Sequence, residues 1–222
     1  MRGRLPEEHP AEPPVGYKIA HPVLSQDGTG AAFLGVSLGG TRPYGVLADA
    51  HCAYGRRHAP PARRCDCGFH CLHDRAEAEA LLCTAACRGA LLLEVAVLGR
   101  YIRFERGIRY ARQRVRAVAA GPCHCGNPAT VLADAGWGRP GWLAAETVCT
   151  GCTGARRPVP LREFARRAGE GVRVENPAPT PDGAEERTVV ELAAEAALMQ
   201  ARLDDFQRRL TDLTGPPPQT PG

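Results

Sequence analysis

Lysine is almost missing from this chain: Lys18 is the only one in 222 residues, so the other basic side chains are arginines. Aromatic residues are scarce too, at 5%, while 20 residues are proline and alanine supplies much of the 44% that is hydrophobic. A core built from such a composition has few large side chains, each of which stabilises by about 1.5–3 kcal/mol when buried. A structural metal would help such a chain to fold. The opening "MRGRLPEEHPAEPPVG" has no apolar stretch of the kind that a secretory signal needs. The longest greasy run, "GALLLEVAVLG", is short and interrupted by Glu94, which excludes a membrane span. No P-loop, no G-x-G-x-x-G opening a helix, no G-x-S-x-G and no H-E-x-x-H occurs, and "GVSLGG" does not fit a nucleophile elbow. These absences predict a soluble cytoplasmic protein with no membrane partner and no enzymatic activity.

Cysteine, by contrast, is plentiful. Ten cysteines in a reducing compartment argue for metal ligation or buried thiols before disulfides. Charge is also unevenly spread. The whole chain carries +4, but residues from Glu175 onward carry nine acidic and four basic groups, which leaves +9 on residues 1 to 174. Within that part, "RYIRFERGIRYARQRVR" holds Arg100, Arg103, Arg106, Arg109, Arg112, Arg114 and Arg116 against the lone Glu105. Such a stretch would attract phosphates, so nucleic acid is a candidate partner there. Alternating arginines on a two-stranded sheet are equally its solvated face, and abundant Ala, Gly, Pro and Arg reflect the codon bias of a high-GC genome.

Residues 1–14 read as disordered. "YKIAHPVL" and "GAAFLGVSLGG" suggest strands around the turn "SQDGTG", and "DRAEAEALLCTAACR" suggests a helix capped by Asp74 with Glu77 completing a capping box. "ALLLEVAVLG" reads as a buried strand, and a hairpin around Glu105-Arg106-Gly107 follows it. The sequence therefore predicts an α+β fold: an α+β domain over 15–120 and a second unit over 121–174 whose centre, "GWGRPGW", turns between two Trp-bearing segments. A linker (175–183), a helix (184–214) and a disordered tail (215–222) complete the organisation.

The second unit carries the clearer chemistry. Cys123 and Cys125 precede Gly126, and Cys149 and Cys152 follow as C-x-x-C after a segment long enough for a β-hairpin. Such a hairpin brings two tight knuckles together, so that four thiolates reach one ion at about 2.3 Å. The pattern resembles the zinc-ribbon family over residues 121 to 160, with C-x-C in place of the usual first C-x-x-C; the resemblance implies a closed, structural zinc site.

Cys65 and Cys67 repeat that knuckle as "CDCG", and "HCAYGRRHAPP" upstream supplies Cys52 and His58. Together the four would form a site of three cysteines and one histidine, with the arginine- and proline-rich loop wrapped over it. The order of a first cysteine, "H-x-x-P", "C-x-C-G", an apolar strand and a basic hairpin resembles a group of uncharacterised zinc-binding proteins from high-GC bacteria over residues 45 to 118. It differs in placing His70 at an aromatic position with Cys71 after it. Cys71 competes with His58 for the fourth position. His70 and His73 read as solvent-facing or capping side chains, and His51 and His124 as neighbours pointing away from a ligand. Cys83 and Cys87 lie four apart on the expected helix, on a face with Ala76 and Ala80, as core thiols or as half of a third site with Cys71 and His73.

Near the C-terminus, Val189, Leu192, Ala196, Met199, Leu203, Phe206, Leu210 and Leu213 recur at alternating steps of three and four, an unbroken heptad pattern. Residues 184–214 are therefore predicted as a coiled-coil helix, used for self-association or for docking on a protein partner, with folding back onto its own domain as the other reading. Taken together, these features predict two Zn2+ per chain in a non-enzymatic zinc-binding adaptor or regulatory protein, which meets partners through a basic surface and a C-terminal helix. A nucleic-acid-binding factor associated with transcription is the first alternative. A thiol-redox or metal-dependent enzyme is the second, although neither cysteine motif lies in a thioredoxin-like βαβ context.

Overall fold

The computed structural model describes residues 10–36, 42–52, 54–84 and 87–175. The element order is β1 (Val15–Ser25), β2 (Ala31–Gly35), β3 (Leu47–Asp49), β4 (Phe69–Leu72), α1 (Arg75–Leu82), β5 (Leu91–Arg103), β6 (Gly107–Ala120), β7 (Val131–Arg139), β8 (Trp142–Val148), β9 (Val159–Pro160), α2 (Leu161–Ala168) and β10 (Arg173–Glu175). All strand pairs are antiparallel except that of β10 with β6. This corrects the α+β expectation: the described chain is mostly antiparallel sheet, with two helices of eight residues each. The expected helix 184–214, the tail beyond it and all of the linker except Glu175 lie outside the described residues.

Hydrophobic patterning explains why strand wins. Along β5, Leu91, Leu93, Val95 and Val97 enter the main core, while Leu92 turns to the opposite face. There it meets Ile19, Ala119 and the buried side of α1, Ala78 and Leu82. A strand buried on both faces needs a near-continuous apolar run, which "ALLLEVAV" supplies. The buried run and the first arm of the expected hairpin prove to be one strand of 13 residues, paired along its length with β6. The helix expected over "DRAEAEALLCTAACR" stops at Leu82, where Cys83 caps it; Asp74 accepts from the Glu77 N–H at 3.0 Å as expected. The buried face of α1 is Ala78 and Leu82, not Ala76 and Ala80.

β1 organises the sheet. Its first half pairs with β5, its second half with β2 and β8, and Tyr17 meets Leu72 of β4. Because β4 also pairs with β6, the ladder β1–β5–β6–β4 closes on itself, which leaves those strands few open edges. The β7–β8 hairpin turns at Pro140-Gly141 and joins the same sheet through β8.

The few aromatics are pooled. Phe164 of α2 packs on Phe33 at 5.6 Å, Phe33 on Tyr44 at 6.0 Å, Tyr44 on Phe69 at 5.2 Å and Phe69 on Tyr110 at 5.8 Å. The lone lysine lies against this chain of rings, its Nζ 4.6 Å from the Phe69 centroid and 4.9 Å from that of Tyr44. Among the described residues no helix is long and apolar enough to cross a membrane.

Candidate metal centres

The first centre is assembled by a loop docked on the β5–β6 hairpin. At the bulge between Leu98 and Tyr101, Arg100 leaves the ladder and donates from Nη2 to the carbonyls of Ala59 (3.1 Å) and Pro60 (3.4 Å). From β6, Arg109 donates to the Cys65 carbonyl at 2.6 Å, the Ala62 carbonyl at 3.2 Å and the Asp66 carboxylate at 3.3 Å. Its side chain is only 7% exposed. Held in this way, Cys52, His58, Cys65 and Cys67 bring one ligand atom each to within 4.8 Å of all the others. Cys52 Sγ lies 3.8 Å from Cys65 Sγ, and His58 Nε2 lies 3.1 Å from Cys67 Sγ. Ligands at about 2.3 Å on a tetrahedral ion stand about 3.8 Å apart, so the sulfur spacing suits zinc.

The second centre is built from both ends of the β7–β8 hairpin. Cys123 and Cys125 sit on the turn between β6 and β7, closed by Gly126 N–H to the Cys123 carbonyl at 2.8 Å. Cys149 and Cys152 sit on the single 3-10 turn after β8. The four sulfurs again lie within 4.8 Å of one another, Cys125 and Cys149 at 3.6 Å. Arg156 fixes this knuckle much as Arg109 fixes the first, donating to the carbonyls of Thr153 (3.0 Å), Asp134 (2.8 Å) and Cys152 (2.9 Å) and pairing with Glu146.

Both knuckles end in glycine for a backbone reason. Gly68 has φ +124° and Gly126 has φ +86°. Side chains rarely adopt these values, and at Gly68 a Cβ would also stand 3.1 Å from Arg109 Cγ and from the Tyr110 carbonyl.

Proton affinities in the second cluster are pulled apart. Hydrogen bonds from Asn127 and then from Cys149 hold the exposed Cys125 thiol down at about 6, whereas its neighbours Cys125 and Cys149 drive Cys152 up to about 12. Four thiols this close cannot all ionise by mutual hydrogen bonding; a divalent cation removes the conflict. In the first cluster, burial and then Cys65 push Cys67 up. Two separate Cys/His clusters can thus each hold one metal ion, and donor sets of three cysteines with a histidine and of four cysteines fit Zn2+.

For the fourth position of the first centre, the cluster contains His58 and not Cys71. Cys71 is buried in the main core, its Sγ 3.9 Å from the Ile108 carbonyl, and its thiol is raised to about 11 by burial. Cys87 is buried in the small cluster behind β5, and Cys83 lies at the end of α1 with its Sγ 3.8 Å from the Glu79 carbonyl; neither reaches a metal cluster. His73 bonds the Phe104 carbonyl at 3.0 Å, and His51 is exposed. His124 stands beside Cys123, Nδ1 to Sγ 3.7 Å. Sequence reasoning missed Arg109 as a clamp, counting it among phosphate contacts, and missed Arg156 altogether. No family model, curated protein or solved structure matches the chain.

Proposed function

We infer that this chain is a non-enzymatic zinc-binding protein whose two ions staple loops to a β-scaffold, and that its work is to present surfaces to macromolecular partners, as adaptors and regulators do. The observation that carries this reading is the convergence of two complete sets of four ligands, each held from outside by an arginine. A site with four protein ligands is closed: it leaves no position for the activated water or substrate that a catalytic zinc requires. Thiolate-rich sites of this kind suit a reducing compartment, which supports the cytoplasm. Residues 184–214 are the second part of the proposal, as the segment that meets a protein partner or a second copy of the chain.

Native mass spectrometry of the reduced protein tests the first part, with two zinc ions per chain as the expected result. One ion or none overturns the assignment of the first centre or of both. Thiols that titrate freely and exchange with glutathione would replace it with redox chemistry. For the second part, deleting residues 184–222 should lower the sedimentation coefficient or abolish partner capture. An unchanged oligomeric state together with unchanged capture rejects it.

A further inference from the structure

We propose that the metal-braced loop of residues 54–67, with the tip of the β5–β6 hairpin, is a binding surface for single-stranded nucleic acid. The proposal rests on reading the first centre as a metal site, which fixes the loop, and it moves the phosphate contact away from most of the hairpin arginines. Those are largely engaged: Arg109 is buried under the loop, Arg100 holds its carbonyls, Arg106 pairs with Glu77 at 3.1 Å and Arg112 with Asp49 at 3.5 Å. On the loop the situation is reversed. Arg56, Arg57, Arg63 and Arg64 are exposed and make no ion pair with any described residue. Asp66 is the only carboxylate in the loop, and Arg109 takes it. Three thiolates and a neutral histidine around Zn2+ leave a charge of −1, and Arg109 offsets one of the two negative charges of the cluster and Asp66, so the four exposed arginines face a remaining −1.

Two exposed aromatic side chains accompany these arginines, one on the loop and one at the hairpin beside it. Tyr54, 63% exposed, lies under the Arg56 guanidinium at 6.0 Å; Phe104, 51% exposed, lies under Arg109 at 5.6 Å. Arg109 also bonds residues 62, 65 and 66, which places Phe104 beside the loop. Tyr54, next to Arg56 and Arg57, and Phe104, under Arg109 at the edge of the loop, offer the exposed ring faces that unstacked bases use beside phosphate contacts. Paired bases in a duplex offer no free faces to such rings. This favours a single strand over a duplex or an acidic protein.

The test is fluorescence anisotropy of a labelled 15-mer of deoxythymidylate with the zinc-loaded full chain at several salt concentrations. Replacing all four of Arg56, Arg57, Arg63 and Arg64 by Ala should flatten the slope of log K against log salt by about 3, at roughly 0.7 per contact. Arg114→Ala with Arg116→Ala should leave it unchanged. Tyr54→Ala should weaken binding about tenfold for the lost stacking. Zinc content measured on the same samples separates the two ideas: a variant with two ions and no binding supports the surface, whereas a wild-type chain without zinc fails the reading beneath it. The proposal is overturned if the zinc-loaded wild type does not bind the 15-mer, or if the fourfold variant binds it equally. It is also overturned if a duplex or heparin binds as well as the single strand and Tyr54→Ala changes nothing.

Discussion

Replacing Lys18 by Met should make this protein more stable at neutral pH, and the gain should vanish in alkali. Lys18 projects from β1 into the main core, between the rings of Tyr44 and Phe69, with Gln113 Oε1 at 3.4 Å. Among the described residues no anion balances it there at neutral pH. The Cys71 thiol beside it is raised by burial to about 11, and burial raises the phenols of Tyr44 and Tyr110 above their ordinary values, so all three are neutral. His70, lowered by burial and then by Arg109 and Lys18, is neutral as well. Desolvation accordingly lowers Lys18 from 10.5 to about 8. At 1.36 kcal/mol per pH unit, that fall corresponds to at most about 3 kcal/mol against the charged form. Lys18 is half-buried, so water returns part of this, and about 1–3 kcal/mol is the working range.

The sign follows from proton counting. Between about 8 and 10.5 the folded chain has released the lysine proton and the unfolded chain still holds it, so stability rises with pH across that window. It is lost as pH falls through the window, and below about 8 the full cost applies. Zinc-bound thiolates also make stability depend on pH, but identically in both proteins, so the difference between wild type and Lys18→Met isolates the lysine. Urea unfolding at fixed free zinc should therefore show Lys18→Met ahead by about 1–3 kcal/mol at pH 7 and level by pH 10.5. Carbon NMR of labelled lysine needs no assignment, since only one lysine exists, and should give a midpoint near 8. A midpoint at the ordinary value, or an advantage independent of pH, would refute the argument.

Other expectations concern the centres. Arg109→Ala should lower zinc affinity at the first centre by roughly 10–100-fold in competition with a chromogenic chelator while sparing the second, and Arg156→Ala should do the reverse. Cys65→Ser should reduce the ions per chain from two to one by native mass spectrometry; Cys71→Ala should keep both, because its sulfur lies in the core. Gly68→Ala should destabilise by about 1–3 kcal/mol in urea, since the new methyl group meets both a strained φ and the Tyr110 carbonyl. Gly126→Ala meets open space and should cost less, though not nothing, because its φ is positive too.

The parts of this architecture that were legible in the sequence are the local ones. A cysteine knuckle announces itself through spacing and the glycine after it, as Cys65–Gly68 and Cys123–Gly126 do. Asp74 three residues before Glu77 marks a helix start, and "GWGRPGW" marks a hairpin turn. The sheet was illegible because its closure is long-range. Tyr17 meets Leu72, and residues 15–20 meet 91–96, with nothing in either segment to name its partner. Strands β3, β9 and β10 are three residues or fewer, too short to show any period. The α+β expectation failed because most of the described chain pairs as antiparallel strand, and the one helix expected before β5 is shorter than its alanine-rich pattern suggested, ending at Leu82.

Arginine was the hardest residue to read, for a reason that bears on the centres themselves. Its abundance made every arginine look like background, and no local pattern distinguishes Arg109 and Arg156 from the rest. What sets them apart is position relative to a thiolate cluster. Around Zn2+, three cysteines with a histidine leave one negative charge and four cysteines leave two, so a cation nearby lowers the cost of holding the cluster in protein. The guanidinium also supplies several donors in a rigid fork, which can take two or three loop carbonyls at once, as both residues do. A lysine ammonium at either place would supply the charge without that planar geometry. Arginines away from the clusters, such as Arg75 and Arg173, meet carboxylates instead. Arg109→Lys and Arg156→Lys would keep the charge and lose the fork, so the zinc affinity each retains separates the electrostatic share of the clamp from its geometric share.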